Sequence, residues 1–105
     1  VELKKLLKDW LIVSGIKDIE IDKDIPPLIY DLYSKSSSFV IDCTKKDLFK
    51  LKFAGMRGLK YFSMFNNMTA KKLYDMLSKN GIPINMLDNS KQSFKLNKYF
   101  RRQKC

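Results

Sequence analysis

The sequence predicts an α+β domain, and three observations carry that expectation. The chain has 105 residues, the size of one domain with one core, and 45% of them are hydrophobic, including seven Phe and five Tyr. Segments near its beginning and in its second half repeat their apolar residues at the helical period. Segments between and after them alternate apolar with polar residues at period two. This apolar content argues against disorder, and no apolar run approaches the roughly 20 residues that a membrane-crossing helix needs. No internal repeat or low-complexity linker divides the chain. Residues 1–105 are therefore expected to form a single domain, with 1–24 as an N-terminal helix and connector and 25–105 as its main body.

The first element is VELKKLLKDWLIV. Leu3, Leu6, Leu7, Trp10 and Val13 fall on one helical face and Glu2, Lys4, Lys5, Lys8 and Asp9 on the other, which predicts a helix over 2–13 that Ser14 and Gly15 stop. Charged and apolar residues alternate from Asp18 to Asp22, so Ile19 and Ile21 belong to a short strand or a tethered loop. Asp24 is a suitable N-cap, and Pro26-Pro27 suits a first helical turn. Ile25, Leu28, Ile29, Leu32 and Tyr33 then repeat at helical spacing, which predicts a second helix ended by the serines at 36–38.

SFVIDC and LFKLKF are strand candidates; in the second, Phe49, Leu51 and Phe53 alternate with Lys50 and Lys52. The TKKD between them is a hairpin loop on that reading, or a capping box with Thr44 as N-cap and Asp47 at N3. A helix over 44–53 would scatter Lys50 and Lys52 around the wheel, so strand is preferred and helix is the alternative. Gly55 and Gly58 punctuate AGMRG, after which Leu59, Phe62 and Phe65 suit a short helix over 58–65. Asn66, Asn67 and Met68 make a tight connection. Thr69 caps the best-formed helix, 70–80, and Gly81 ends it. IPINM and SFKLN read as two short strands about a turn at Asp88, Asn89 and Ser90, and KYFRRQKC is a basic, aromatic tail.

From Ile25 onward the expected order is helix, strand or hairpin, short helix, three-residue turn, helix, hairpin. That order resembles winged-helix domains, in which a helix-turn-helix packs beside a small sheet whose last hairpin is the wing. The resemblance rests on element order and spacing and on no sequence motif. It implies a small winged-helix-like domain with an extra N-terminal amphipathic helix, 70–80 as the recognition helix and a basic β-hairpin as the wing. The competing architecture is another α+β domain with four strands in one antiparallel sheet.

Charge is distributed unevenly. The net is +10, yet residues 1–52 hold 10 Lys against 9 acids, whereas 53–105 hold 11 Lys or Arg against only Asp75 and Asp88. A field gathered in this way favours polyanions. On the helix 70–80, Lys71, Lys72, Ser78 and Lys79 share an arc of roughly 120° opposite Ala70, Leu73 and Leu77. Lysine grips phosphate but reads bases poorly, so the three lysines are candidate backbone contacts with little sequence discrimination. Ser78 and Asn80 are the polar candidates for base contact, with capping of the helix end as the other role for Asn80. The second candidate group is Lys95, Lys98, Arg101 and Arg102, with Tyr99 placed to stack on an unpaired base. The plain counterpart is a solvated amphipathic helix, with Phe94, Leu96 and Phe100 as core and the cations as a loose end.

Catalytic chemistry has little to work with. The absence of histidine removes Ser-His and Cys-His pairs, imidazole bases and imidazole metal ligands. AGMRG is too short and wrongly spaced for a phosphate-binding loop. Asp18, Glu20, Asp22 and Asp24 lack the spacing of a calcium loop. A restriction-like nuclease needs an Asp followed by acid-x-Lys on the next strand, and the region after Asp42 reads LFKLK. Cys43 reads as a buried, inert thiol, and two distant cysteines do not make a zinc site. No catalytic residue, metal site or cofactor is therefore expected, and no small-molecule substrate.

The leading expectation is a module that binds DNA or RNA. The alternative is a protein-interaction module (a subunit, adaptor or effector domain) with an acidic partner, for which Trp10 would sit on a docking helix. A membrane surface is the least favoured partner, because Cys105 lacks a prenylation context. Two unpaired cysteines suit an intracellular setting. The chain begins at Val1, so any targeting segment is expected to lie upstream of it.

Overall fold

The computed structural model describes residues 3–64, 68–85 and 91–102. Its elements follow in the order α1 (Leu3–Val13), β1 (Ile19–Ile25), β2 (Leu28–Ser34), β3 (Phe39–Asp42), α2 (Leu48–Met56), β4 (Lys60–Ser63), α3 (Ala70–Lys79) and α4 (Lys91–Arg102). The strands form one mixed sheet in sequence order. β1, β2 and β3 make an antiparallel meander, and β4 pairs parallel to β3 with α2 as the crossover. The expected α+β class is what the chain adopts.

Period two decides which residues line each face of the sheet. Phe39 and Ile41 of β3 and Phe62 of β4 join the larger core with Leu7, Trp10 and Leu11 of α1, Leu73 and Leu77 of α3, and Leu96 and Phe100 of α4. Val40 points the other way and packs with Tyr30 and Ala54, flanked by Phe53 of α2 and Tyr61 of β4. Three helices thus cover one face of the sheet and, among the described residues, α2 alone covers the other. The large core is pinned through Trp10, only 2% exposed, whose indole N–H donates to the Ser93 hydroxyl of α4 over 2.9 Å.

The ends of the helices account for much of the chain's punctuation. α1, α2 and α3 all close in Schellman motifs, with Ile16, Leu59 and Ile82 donating to the carbonyls of Leu11, Ala54 and Leu77. Each motif needs a residue in the left-handed region, and Gly15, Gly58 and Gly81 supply it. At the other end, Asp47 caps α2 by accepting from the amides of Phe49 and Lys50, and Thr69 caps α3 by accepting from Lys72.

Several elements differ from the expectation. The segment from Ile25 is not a helix. Ile25 pairs with Leu28 around a two-residue Pro26-Pro27 turn, and Asp24 lies within β1 instead of capping a helix. A prolyl pair signals a tight turn as readily as a helix start, and the cis Pro27 here is the type VI form. Residues 48–53 are helical because the Asp47 cap satisfies the first free amides; their apparent alternation comes from a helix that is apolar on its outward side too. Residues 60–63 are strand, not helix, since Tyr61 and Phe62 face opposite cores. SFKLN lies inside α4, so the basic hairpin of the winged-helix expectation is replaced by a basic helix, and IPINM shows no strand over its described part, 82–85. Asn66, Asn67, the turn at Asp88, Asn89 and Ser90, and the last three residues of the tail lie outside the described residues.

Candidate nucleic-acid interface

α4 carries Lys91, Lys95, Lys98, Arg101 and Arg102 and no acid among its 12 residues. Ser93, Leu96 and Phe100 form its buried seam, which explains the helix: apolar anchors recur at helical spacing and the hydroxyl of Ser93 is met by Trp10. Lys91, Lys95, Lys98 and Arg102 are separated by four, three and four residues, so they form one stripe along the outward side. All are exposed, and none makes an ion pair with another described residue. Phe94, 65% exposed, stands one turn from Lys98.

Like charges at these spacings destabilise a helix by about 0.2–0.5 kcal/mol per pair. Arg101 and Arg102 recover part of this at the C-terminal end of the helix dipole, but Lys91 and Lys95 do not. Solubility would be served by mixing signs; a single-sign row is not needed for it. The stripe borders a groove of about 370 Å³ between α1 and α4, lined by Lys5, Leu6 and Asp9 on one side and Lys95, Lys98, Tyr99 and Arg102 on the other. Four cations face one acid there, over an apolar floor.

The candidates from α3 are more dispersed. The Ala70 amide donates to the Asn97 side chain over 2.7 Å, so the first turn of α3 abuts the middle of α4, and Lys71 and Lys72 begin beside it. Lys71 lies 3.7 Å from Asp75 in an exposed pair. Ser78 donates to the Asp75 carbonyl and, with Lys79, sits at the far end of the helix, close to the Asn80 carbonyl that accepts from Lys60. Lys95, Lys98, Tyr99 and Arg102 therefore meet in one groove and Arg101 adjoins it, whereas Ser78 and Lys79 belong to a different end of the molecule. Tyr99 is half-buried, packs edge-on against Phe100 and forms groove wall instead of a free stacking surface; the exposed ring is Phe94. Sequence reasoning counts Lys91 in the basic C-terminal cluster, passes over Lys5 and takes Phe94 as core. The four-three-four cation spacing was visible in the sequence and marks a helix, but reading SFKLN as a strand hid it.

A second polar cluster lies across the sheet. Asp31 on β2 and Asp42 on β3 each lie one residue beyond the last paired residues of the two strands, Leu32 and Ile41. Asp42, 1% exposed, accepts from the Asp31 amide at 3.3 Å and the Tyr61 hydroxyl at 3.0 Å, and Lys50 of α2 lies 3.2 Å from its carboxylate. Asp31 accepts from the Cys43 amide at 2.7 Å, and Lys4 of α1 stands 3.8 Å from it and 2.7 Å from Asp22. Burial, then the Asp42 anion, pushes the Tyr61 phenol up to about 12 despite the hydrogen bond that its oxygen accepts from the Asp47 amide. Burial and the neighbouring Asp31 push the Cys43 thiol up to about 12 as well, which makes it a poor nucleophile. Among the described residues no group of three or more acid or cysteine side chains is arranged to hold a metal ion. No described helix is long and apolar enough to cross a membrane.

Compared with protein-family models, with curated proteins and with solved structures, the chain matches none. What defines it is an α+β domain with a four-stranded mixed sheet and a one-sign helical stripe.

Proposed function

We propose that the protein is a nucleic-acid-binding module that grips backbone phosphates through the outward stripe of α4. Lys91, Lys95, Lys98 and Arg102 make the contacts, Lys5 closes the groove from α1, and Lys71 and Lys72 extend the surface from α3. Phe94 offers a ring on which an unpaired base can stack. The observation that supports this reading is the row of cations itself, without an ion pair among the described residues and held at helical spacing at a cost to the helix. No wing is needed: α4 supplies the charge that a basic hairpin would have carried.

The test is an anisotropy titration against mixed duplex DNA, single-stranded DNA and RNA across a salt series. Removing one phosphate-gripping cation should flatten the log–log salt slope by about 0.9 for duplex or about 0.7 for a single strand. Lys95→Ala with Lys98→Ala should weaken binding to every sequence alike. No binding at about 50 mM salt, or an affinity indifferent to those two changes, would overturn the proposal.

A second reading, cleavage of the bound strand, is favoured by one observation. The strand that follows Asp31 carries Asp42, and a lysine, Lys50, reaches that carboxylate from α2. This approaches the restriction-like requirement, with the lysine arriving from a helix. As arranged, Tyr61 and Lys50 engage Oδ2 of Asp42 and the Asp31 amide donates to Oδ1, the oxygens that a cation would need, which favours binding without cleavage. Incubating labelled DNA and RNA with protein and Mg²⁺ or Mn²⁺ separates the two: cleavage abolished by Asp42→Asn would replace the first reading.

A further inference from the structure

α2 is apolar on the side that faces solvent. Leu48 is 70% exposed, Phe49 62% and Met56 76%. At about 100° per residue these three and Lys52 occupy an arc of roughly 120° opposite the buried Ala54. A helix on a sheet normally turns polar residues outward. Here the outward ridge is continued by a stacked Phe49–Phe53 pair with ring centroids 6.4 Å apart, and Arg57 lies 4.5 Å over the Phe53 ring. The rim is cationic: Lys45 and Lys46 in the loop before the helix, Lys52 on it and Arg57 after it are all exposed. The nearby acid, Asp47, is occupied as the N-cap.

We infer that the outer face of α2 docks an acidic, amphipathic segment of a partner protein. Apolar side chains of that segment would cover Leu48, Phe49 and Met56, and its carboxylates would meet the rim of Lys and Arg. A second copy of this chain does not fit, because a two-fold pairing would set Lys52 against Lys52 within a chain of net charge +10. The surface lies across the sheet from α4, so the inference stands apart from the nucleic-acid proposal.

The test is selection of random peptides displayed on phage against the whole protein. The expected result is enrichment of net-acidic sequences with apolar residues at helical spacing, whose synthetic versions bind with at least about tenfold lower affinity to Leu48→Glu and Met56→Glu. Both residues are exposed, so the variants should keep the thermal melt of the parent and its nucleic-acid affinity. The inference fails if no acidic-apolar class is enriched, or if the enriched peptides bind the variants equally well. It fails also if Met56→Glu instead dissolves a dimer in sedimentation, releases the protein from phosphatidylserine vesicles or lowers its affinity for nucleic acid.

Discussion

One face of the sheet is covered by three helices that bury Leu7, Trp10, Leu73, Leu77 and Leu96 and turn cations outward. Among the described residues the other is covered by α2 alone, which buries Ala54 and turns Leu48, Phe49 and Met56 outward. Fully burying a side chain of that kind is worth about 1.5–3 kcal/mol, so the second face leaves several kcal/mol of stabilisation unused. The like-charge stripe on the first face costs less, a few tenths of a kcal/mol per pair. The two faces therefore carry different kinds of unsatisfied surface. One attracts charge at long range and is sensitive to salt; the other is a short-range apolar ridge whose cover has to be shaped to it.

The sharpest way to break this contrast is to truncate one large side chain on each side. Trp10→Ala should cost about 3–5 kcal/mol in urea unfolding, because it removes a buried indole and leaves the Ser93 hydroxyl without its donor. Leu48→Ala should stay within about 0.5 kcal/mol of the parent. A loss above about 2 kcal/mol at Leu48 would show that the α2 ridge is covered in the free protein and would end the comparison.

Cys43 reports on the boundary between the two regions, just past β3. With Cys105→Ser removing the other thiol, alkylation of native protein by iodoacetamide at pH 8 should run about a thousandfold slower than for an ordinary cysteine, each pKa unit being a factor of ten in thiolate. The same shift sets a pH dependence. The folded thiol holds its proton up to about 12, whereas the unfolded one loses it near 8.5. The unfolded state therefore binds fewer protons between those values, and stability falls as pH rises through that window. Urea midpoints at pH 8 and pH 10.5 should differ less in Cys43→Ala than in the parent. Rapid alkylation of the native thiol would place Cys43 in open solvent.

Asp42 ties α2 to the sheet, since it collects Lys50 from α2, the Tyr61 hydroxyl of β4 and the Asp31 amide of β2. Asp42→Ala should cost about 1–3 kcal/mol, the desolvation of donors left without an acceptor. The Lys50 side chain, 22% exposed, can turn to water, which keeps the loss at the lower end of that for a broken buried pair. A urea series on Asp42→Ala beside Tyr61→Phe measures it, and equal stability in Asp42→Ala would remove the cluster as a structural joint.

The contrast between faces also explains which parts of the fold were legible in the sequence. α1 and α3 were, because each has a clean apolar stripe and a strong stop or cap: Gly15 for the first, Thr69 and Gly81 for the second. β3 was legible as a short apolar run. β2 was not, since Ile25, Leu28, Ile29, Leu32 and Tyr33 repeat at helical spacing, and a strand whose Tyr30 and Leu32 enter opposite cores offers no clean period of two to compete with it. α2 defeated the pattern altogether, because a helix apolar on both sides has no stripe, and its true cap, Asp47, was seen only as the third residue after Thr44. Of the candidate site, the charge was legible and its geometry was not. Lys95, Lys98, Tyr99 and Arg102 converge only because α4 lies against α1, and nothing local in the sequence dictates that Lys5 and Asp9 form the opposite wall.

The smallest expected effects concern the two glycines of α2 and its cap, and their opposite signs make them informative. A Cβ at Gly55 or at Gly58 meets no atom within 4 Å, so neither substitution is limited by space. Gly55 lies within the helix, where alanine restricts the unfolded chain and favours the helical state, so Gly55→Ala should stabilise by up to about 0.5–1 kcal/mol. Gly58 holds φ at +73° in the Schellman motif, where a Cβ is strained, so Gly58→Ala should destabilise by about 1–2 kcal/mol. Thermal melts of the two variants check the pair. Because position 55 is exposed and lies at the edge of the ridge beside residues 48 and 52, a gain in stability from Gly55→Ala accompanied by weaker capture of acidic peptides would locate the docking ridge to within one helical turn. A loss of stability from Gly55→Ala would mean that the last turn of α2 is not helical and that the exposed ridge ends before Met56.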